Sequence, residues 1–162
     1  MDIWRVFSDD DREQWEFEPL AGVGPLRFGM TCAEVIRVLS PGRDPNVRRF
    51  GELDERGLTV YCADDALVCV AVDGLTGPQI TLDGERLVGR VPSQLEQWAF
   101  GYREQHDLTL RYSHTADPEL FELGLILRAQ RAGDFVVSRP VFLAEPADVP
   151  WDVVPGREWS RF

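Results

Sequence analysis

Cys32, His106 and Asp107 are the residues of this chain best suited to covalent or acid–base chemistry. A cysteine at a helix start is favoured as a thiolate, because the helix N-terminus lowers its pKa. A His–Asp pair is the kind of base that would activate it. The bland reading of Cys32 is a small buried hydrophobe, which is the commoner role of an unpaired cysteine. His106 and His114 are the only histidines, with seven residues between them and no cysteine nearby. A zinc site needs three or four ligands at short spacings, so no metal is expected. Asp9-Asp10-Asp11 lacks the alternating ligands, central glycine and closing glutamate of a calcium loop. Glu16 and Glu18, flanking Phe17, are too generic to stand for a glycosidase dyad. The chain has no lysine, which excludes Schiff-base and P-loop chemistry. The expectation is a non-enzyme without cofactors. The alternative is a small-ligand or enzymatic domain with a pocket between sheet and helices, built on Cys32, His106 and Asp107.

Charge points outward, to a partner. Seventeen arginines against 28 acidic residues give a net charge of −11. Such a surface repels phosphate backbones and anionic lipid, so neither nucleic acid nor membrane is expected as a partner. A basic protein would be attracted and steered. Glu52, Asp54 and Glu55 read as one acidic turn, and Asp64-Asp65 as the next. These five are the candidate partner-binding residues, a negative patch suited to a basic active-site cleft. The plain alternative is that they are solvated turn carboxylates. Sequence alone does not say whether the two turns share an end of the sheet.

The elements that must carry these residues follow from periodicity and turn chemistry. At 162 residues the chain is read as a single domain, 1–162, whose terminal segments 1–18 and 144–162 pack on the body. Four of the five tryptophans, Trp4, Trp15, Trp151 and Trp159, lie in those segments. They are expected to complete the core or to anchor a partner. Three cysteines without CxxC spacing, an acidic start and no long apolar run suggest a cytoplasmic protein.

Leu26 to Phe28 reads as a strand ending at Gly29. Thr31, with Glu34 three residues on, forms a capping box for a helix that Pro41-Gly42 stops. Val47 to Leu53 is expected as a strand. "LTVYCADDALVCVAV" is expected as a hairpin turning at Asp64-Asp65, with Cys62 opposite Leu67 and Val60 opposite Cys69. Ser93 and Glu96 repeat the capping signature for a second helix over 93–102, again after a glycine. That hints at an internal repeat, although the second copy has two extra residues between glycine and cap. Strands are expected over 108–112, 120–129 and 135–143. The fold class is α+β, with two short helices packed on one face of a mainly antiparallel β-sheet.

The stretch "LRFGMTCAEVIRVL" resembles the FGMT motif at each repeat start of the beta-lactamase inhibitory protein family. It is also similar to the GMT motif of the small lipoprotein of the outer-membrane barrel-assembly machinery. The order "FGMT…EV", "GLTVYCADDALVCVAVDG", "LDGERLVGR" looks like a group of small actinobacterial proteins, some associated with immunity to secreted polymorphic toxins. The resemblance spans residues 22–129. It implies a small helix-on-sheet domain that binds another protein: an immunity-type inhibitor that covers the active site of a basic toxin domain. No lipid-anchoring cysteine stands near the start, and no binding residue beyond the shared turn carries over.

Overall fold

The computed structural model describes residues 2–44, 52–148 and 154–160. The fold is α+β, with three α-helices and twelve strands in two sheets among the described residues. The first strand, β1 (Gln14–Glu18), lies in the acidic terminal segment 1–18. Trp15 and Phe17 alternate there with Gln14, Glu16 and Glu18, the period of a half-buried strand. Next come a short hairpin, β2 (Gly22–Val23) and β3 (Leu26–Arg27), and then helix α1 (Cys32–Leu39). Cys32, Val35, Ile36 and Leu39 form its buried stripe. The capping box is present: the Glu34 amide donates to Thr31 Oγ1 at 3.2 Å, and the Thr31 amide donates to Glu34 Oε2 at 2.9 Å.

A three-stranded meander follows, β4 (Glu52–Glu55), β5 (Leu58–Ala63) and β6 (Ala66–Val72). Most of the expected strand 47–53 lies outside the described residues. Glu52, Asp54 and Glu55 belong to strand β4 and not to a turn; the turn is Arg56-Gly57, both with positive φ. Asp64-Asp65 is the expected two-residue turn, with φ of 52° and 59°. Cys62 does pair with Leu67, but Val68 is then bulged out, so Val60 faces Val70 and Tyr61 faces Cys69.

The second half repeats this plan. Hairpin β7 (Gln79–Leu82) and β8 (Glu85–Arg86) leads to helix α2 (Pro92–His106) and edge strand β9 (Leu110–Tyr112). The meander β10 (Pro118–Leu120), β11 (Leu125–Ala132) and β12 (Phe135–Leu143) closes it. Helix α2 starts earlier than expected, with Val91 as N-cap, Pro92 in its first turn and no side-chain cap bond. Proline's fixed φ sets this start without a hydroxyl. Glu96 instead accepts from the Tyr112 hydroxyl at 2.5 Å. With that correction the two extra residues vanish: the cap lies two positions after Gly29 in one half and two after Gly89 in the other.

Both glycines have positive φ, 91° and 68°. The Gly29 amide donates to Leu67 O at 3.0 Å, and the Leu67 amide returns a bond to Met30 O at 2.8 Å. Gly89 and Arg90 make the same exchange with Ser138, at 3.1 and 2.8 Å. An approximate two-fold relation therefore links the halves, and its axis runs between β6 and β12.

The large sheet has the order β4-β5-β6-β12-β11-β10-β9, and the small one β3-β2-β1-β7-β8, with β1 parallel to β7. The small sheet, α1 and α2 all cover the inner face of the large sheet. Phe17, Leu26, Val35, Leu95, Val70 and Phe142 belong to that one core. The outer face has its own smaller cluster, where Tyr61, Cys69, Ala71, Ile126 and Val141 meet Val154 and Trp159.

Thr31→Ala is expected to lower stability by about 1 kcal/mol, whereas Ser93→Ala, at the cap that did not form, changes it by less than about 0.5 kcal/mol. Urea denaturation of the two variants checks the contrast. Tyr102 on α2 donates to Asp83 Oδ2 at 2.6 Å. Burial and that carboxylate push its hydroxyl up to about 12. The unfolded chain releases this proton near pH 10 while the native one holds it, so stability should fall as pH rises from there to about 12. Tyr102→Phe should flatten that limb in denaturation curves taken across the range.

Candidate protein-binding surface on the large sheet

Inner-face positions of the large sheet are apolar, but the outer face carries charges that a sequence reading would assign to solvent. Arg139 on β12 and Arg128 on β11 are both buried. The segment Val154–Ser160, which includes the short helix α3 (Gly156–Trp159), lies across them. Glu158 on α3 is 0% exposed. Arg139 grips it bidentately, Nε to Oε1 at 2.6 Å and Nη2 to Oε2 at 3.1 Å, and the Tyr61 hydroxyl donates to Oε2 at 2.7 Å. Two donors in a planar fork, plus a phenol, leave the carboxylate well supplied. Arg128 donates to Asp117 Oδ2 at 3.1 Å and to the main-chain oxygens of Glu158 and Trp159. Its guanidinium also lies 4.9 Å from the Trp159 ring, whose edge meets His114 at 4.6 Å.

The network extends along the face. Arg139 also donates to Thr59 Oγ1 at 3.2 Å, and the Thr59 hydroxyl donates in turn to Asp54 Oδ1 at 2.6 Å. Gln130 receives Arg139 at 3.4 Å and donates to Asp73 at 3.0 Å. At the far edge Arg111 pairs with buried Glu119, where burial raises the carboxyl pKa and the arginine offsets that only in part.

Antiparallel pairing decides which loops share an end. β5 and β12 start, and β6 and β11 finish, at the same end of the sheet. That end gathers the Arg56-Gly57 turn, the loop after Val72 and the β11–β12 hairpin tip at Gly133-Asp134. The Asp64-Asp65 turn lies at the opposite end. The candidate partner-binding residues are therefore split. Asp54 and Glu55 line a cleft of about 320 Å³ with Arg56, Asp73, Thr76 and Arg139. Glu52, further along β4, is ion-paired to Arg157 at 2.9 Å. Asp65 is a structural neighbour of α1, accepting from the Cys32 amide at 3.4 Å, while Asp64 is exposed.

The most exposed apolar side chains sit at the hairpin end. Phe135 is 76% and Val136 56% exposed, and the segment before β1 adds Ile3 at 70% and Trp4 at 41%. Trp4 lies beside Gly133 and 5.9 Å from the Arg131 guanidinium, so the segment before β1 reaches the hairpin tip. A groove of about 550 Å³ runs from Phe135 and Val136 to Asp117 and Arg128.

The alternative catalytic set does not assemble on shared elements. Cys32 begins the helix over β6, whereas His106 and Asp107 end the helix over β9 to β12. His106 stacks on Tyr102 at 4.2 Å. Burial pushes the Cys32 thiol up; the Cys62 hydrogen bond only partly offsets this, and Asp65 adds to the rise. The expected thiolate-favouring helix start is thus outweighed by desolvation. Among the described residues, no group of three or more His, Cys, Asp or Glu side chains is placed to hold a metal ion.

Sequence reasoning missed Arg128, Arg139 and Glu158, because each looks like an ordinary surface charge. The two arginines have one signal, alternation: Arg128 in "LILRAQRA" and Arg139 in "FVVSRPVFL" pair across the strands on one sheet face, in largely apolar runs. Compared with family models, curated proteins and solved structures, the chain matches none.

Glu158→Gln or Arg139→Met alone leaves a buried partner uncompensated, and each is expected to cost about 3–5 kcal/mol. The double variant should cost clearly less than the sum. Chemical denaturation of all four proteins measures that coupling.

Proposed function

We propose that the protein is a protein-binding inhibitor, of the kind that gives immunity to a polymorphic toxin by covering the toxin's active site. The observation that carries this reading is the set of exposed apolar side chains at the hairpin end: Phe135 and Val136 on β12, one on each face of the strand, and Ile3 and Trp4 in the segment that reaches Gly133. Large aromatic and aliphatic side chains exposed at one end of a domain are typical of contact surfaces, and aromatic anchors supply a large share of binding energy. The carboxylates of Asp54, Glu55 and Asp73 stand in the cleft at the same end. They would complement a basic cleft and speed its approach. The net charge of −11 works in the same direction at long range.

In this reading inhibition is steric. The hairpin tip enters or caps the partner's cleft, the apolar side chains exclude water, and the flanking acids pair with cations that would otherwise hold substrate. The motif resemblance to inhibitory proteins supports the same class. A basic toxin domain met in the cytoplasm is the partner this implies, and no helix among the described residues is long and apolar enough to cross a membrane.

The test is capture of partners from the native cell by the tagged chain, beside Phe135→Ser/Val136→Ser as a matched control. A single stoichiometric partner held by the wild type is expected, with binding at least about tenfold weaker to the double variant and an unchanged melting temperature. Glu55→Arg should slow association at low salt and have little effect at high salt. Reversal of Asp64 and Asp65 at the far end should alter the rate less. Equal capture by wild type and double variant would sink the proposal.

A further inference from the structure

The segment Val154–Ser160 is held like a bound peptide. Its helix α3 is a single turn, and what fixes it is the sheet beneath. The sheet reads three of its features: the Glu158 carboxylate through Arg139 and Tyr61, the following carbonyls through Arg128, and the Trp159 indole through Arg128 and His114. The readers come from β5, β11, β12 and the turn after β9, so none belongs to the segment itself. They are also held independently of it. Asp117 fixes Arg128 at 3.1 Å, while Thr59 and Gln130 fix Arg139 at 3.2 and 3.4 Å. Such a site is organised before its occupant arrives.

A buried ion pair is seldom the most stable way to attach a segment, since apolar residues of similar volume do as well. What the charge adds is discrimination: an occupant without a carboxylate leaves Arg139 buried and short of its counter-charge. We propose that the outer face of the large sheet is a recognition site for a peptide carrying glutamate followed by tryptophan. The segment Val154–Ser160 is its resident ligand, a latch that a partner segment of the same chemistry displaces. Tethering gives the resident an effective concentration of order millimolar, so a partner binds when the latch opens or when its affinity exceeds that advantage. This goes beyond the proposed inhibition and does not depend on it.

The probe is a labelled heptapeptide with the sequence of Val154–Ser160, titrated into full-length protein and followed by fluorescence anisotropy. Wild type should bind it poorly, because the site is filled. Full-length Glu158→Ala, whose own segment lacks the carboxylate, should bind it at least about tenfold more tightly. The same peptide with glutamine for glutamate should bind no better to the variant than to wild type. Equally weak binding to both proteins, with circular dichroism showing the variant folded, overturns the proposal.

A measurement on wild type decides the matter if the variant does not fold. Cys69 is 0% exposed and lies in the same outer-face cluster as Val154 and Trp159. Alkylation of Cys69, located by peptide mass mapping, should proceed by local opening at a rate independent of low denaturant. Alkylation of Cys69 only at the rate of global unfolding would show a permanent attachment and no latch.

Discussion

The pairing of β6 with β12 is the constraint on which the remaining architecture rests. Each half of the chain can form its own hairpin, glycine turn, helix and meander, but neither meander alone makes a sheet wide enough to bury a core. The two join through Cys69–Leu143, Val70–Phe142 and Ala71–Val141. Val70 and Phe142 face inward, Ala71 and Val141 outward, and all four are fully buried. A slip of one residue would exchange the faces, so the side chains hold the register as firmly as the hydrogen bonds do. The glycine turns then tie each helix start to its own central strand through Leu67 and Ser138, which places both helices on the same inner face.

The outer face shows what happens when a second layer is thin. One strand-like cover would suffice for an apolar surface, yet here the sheet presents Arg128 and Arg139, and the covering segment must answer with Glu158 and two carbonyls. Burying these groups is tolerable only because each guanidinium nitrogen of both arginines has an acceptor. Arg12 plays a related part at the hairpin end. Its buried guanidinium donates to Gly77 O and Gly74 O at 2.7 Å, and so fastens the segment before β1 to the loop after β6. Trp4 is presented from that segment, so this polar clasp helps hold it against the hairpin tip at Gly133.

Much of the fold could be read from the chain. The capping box at Thr31, the Asp64-Asp65 turn and the alternation of β5 are local effects, decided within a few residues. The parts that could not be read depend on distant partners. β1 was masked by its acidic positions, because in "QWEFE" only two side chains turn inward. The start of α2 went to Pro92 over Ser93, a competition between two acceptable first turns that tertiary anchoring of Gly89 settles. Sequence gives no reason to pair Arg139 with a glutamate nineteen positions later, because that contact requires the sheet to exist first. The expected acidic patch shows the same limit. Its residues were identifiable, but which end of the sheet each turn occupies depends on strand direction, and Glu52 and Asp65 turn out to serve the protein's own contacts.

The segment Val154–Ser160 also has a mechanical meaning. The two halves of the large sheet meet along the β6–β12 pair. The segment touches Tyr61 in the first half and Arg128 and Arg139 in the second, so it crosses that line as a brace. Arg157 extends the hold to Glu52 at the first edge. With the brace engaged, the two halves must twist together, and the hairpin end, formed by loops from both, keeps one shape. With it released, the same loops would move relative to one another. The stiffness of one surface of this protein is thus governed from another, through the seven residues Val154–Ser160.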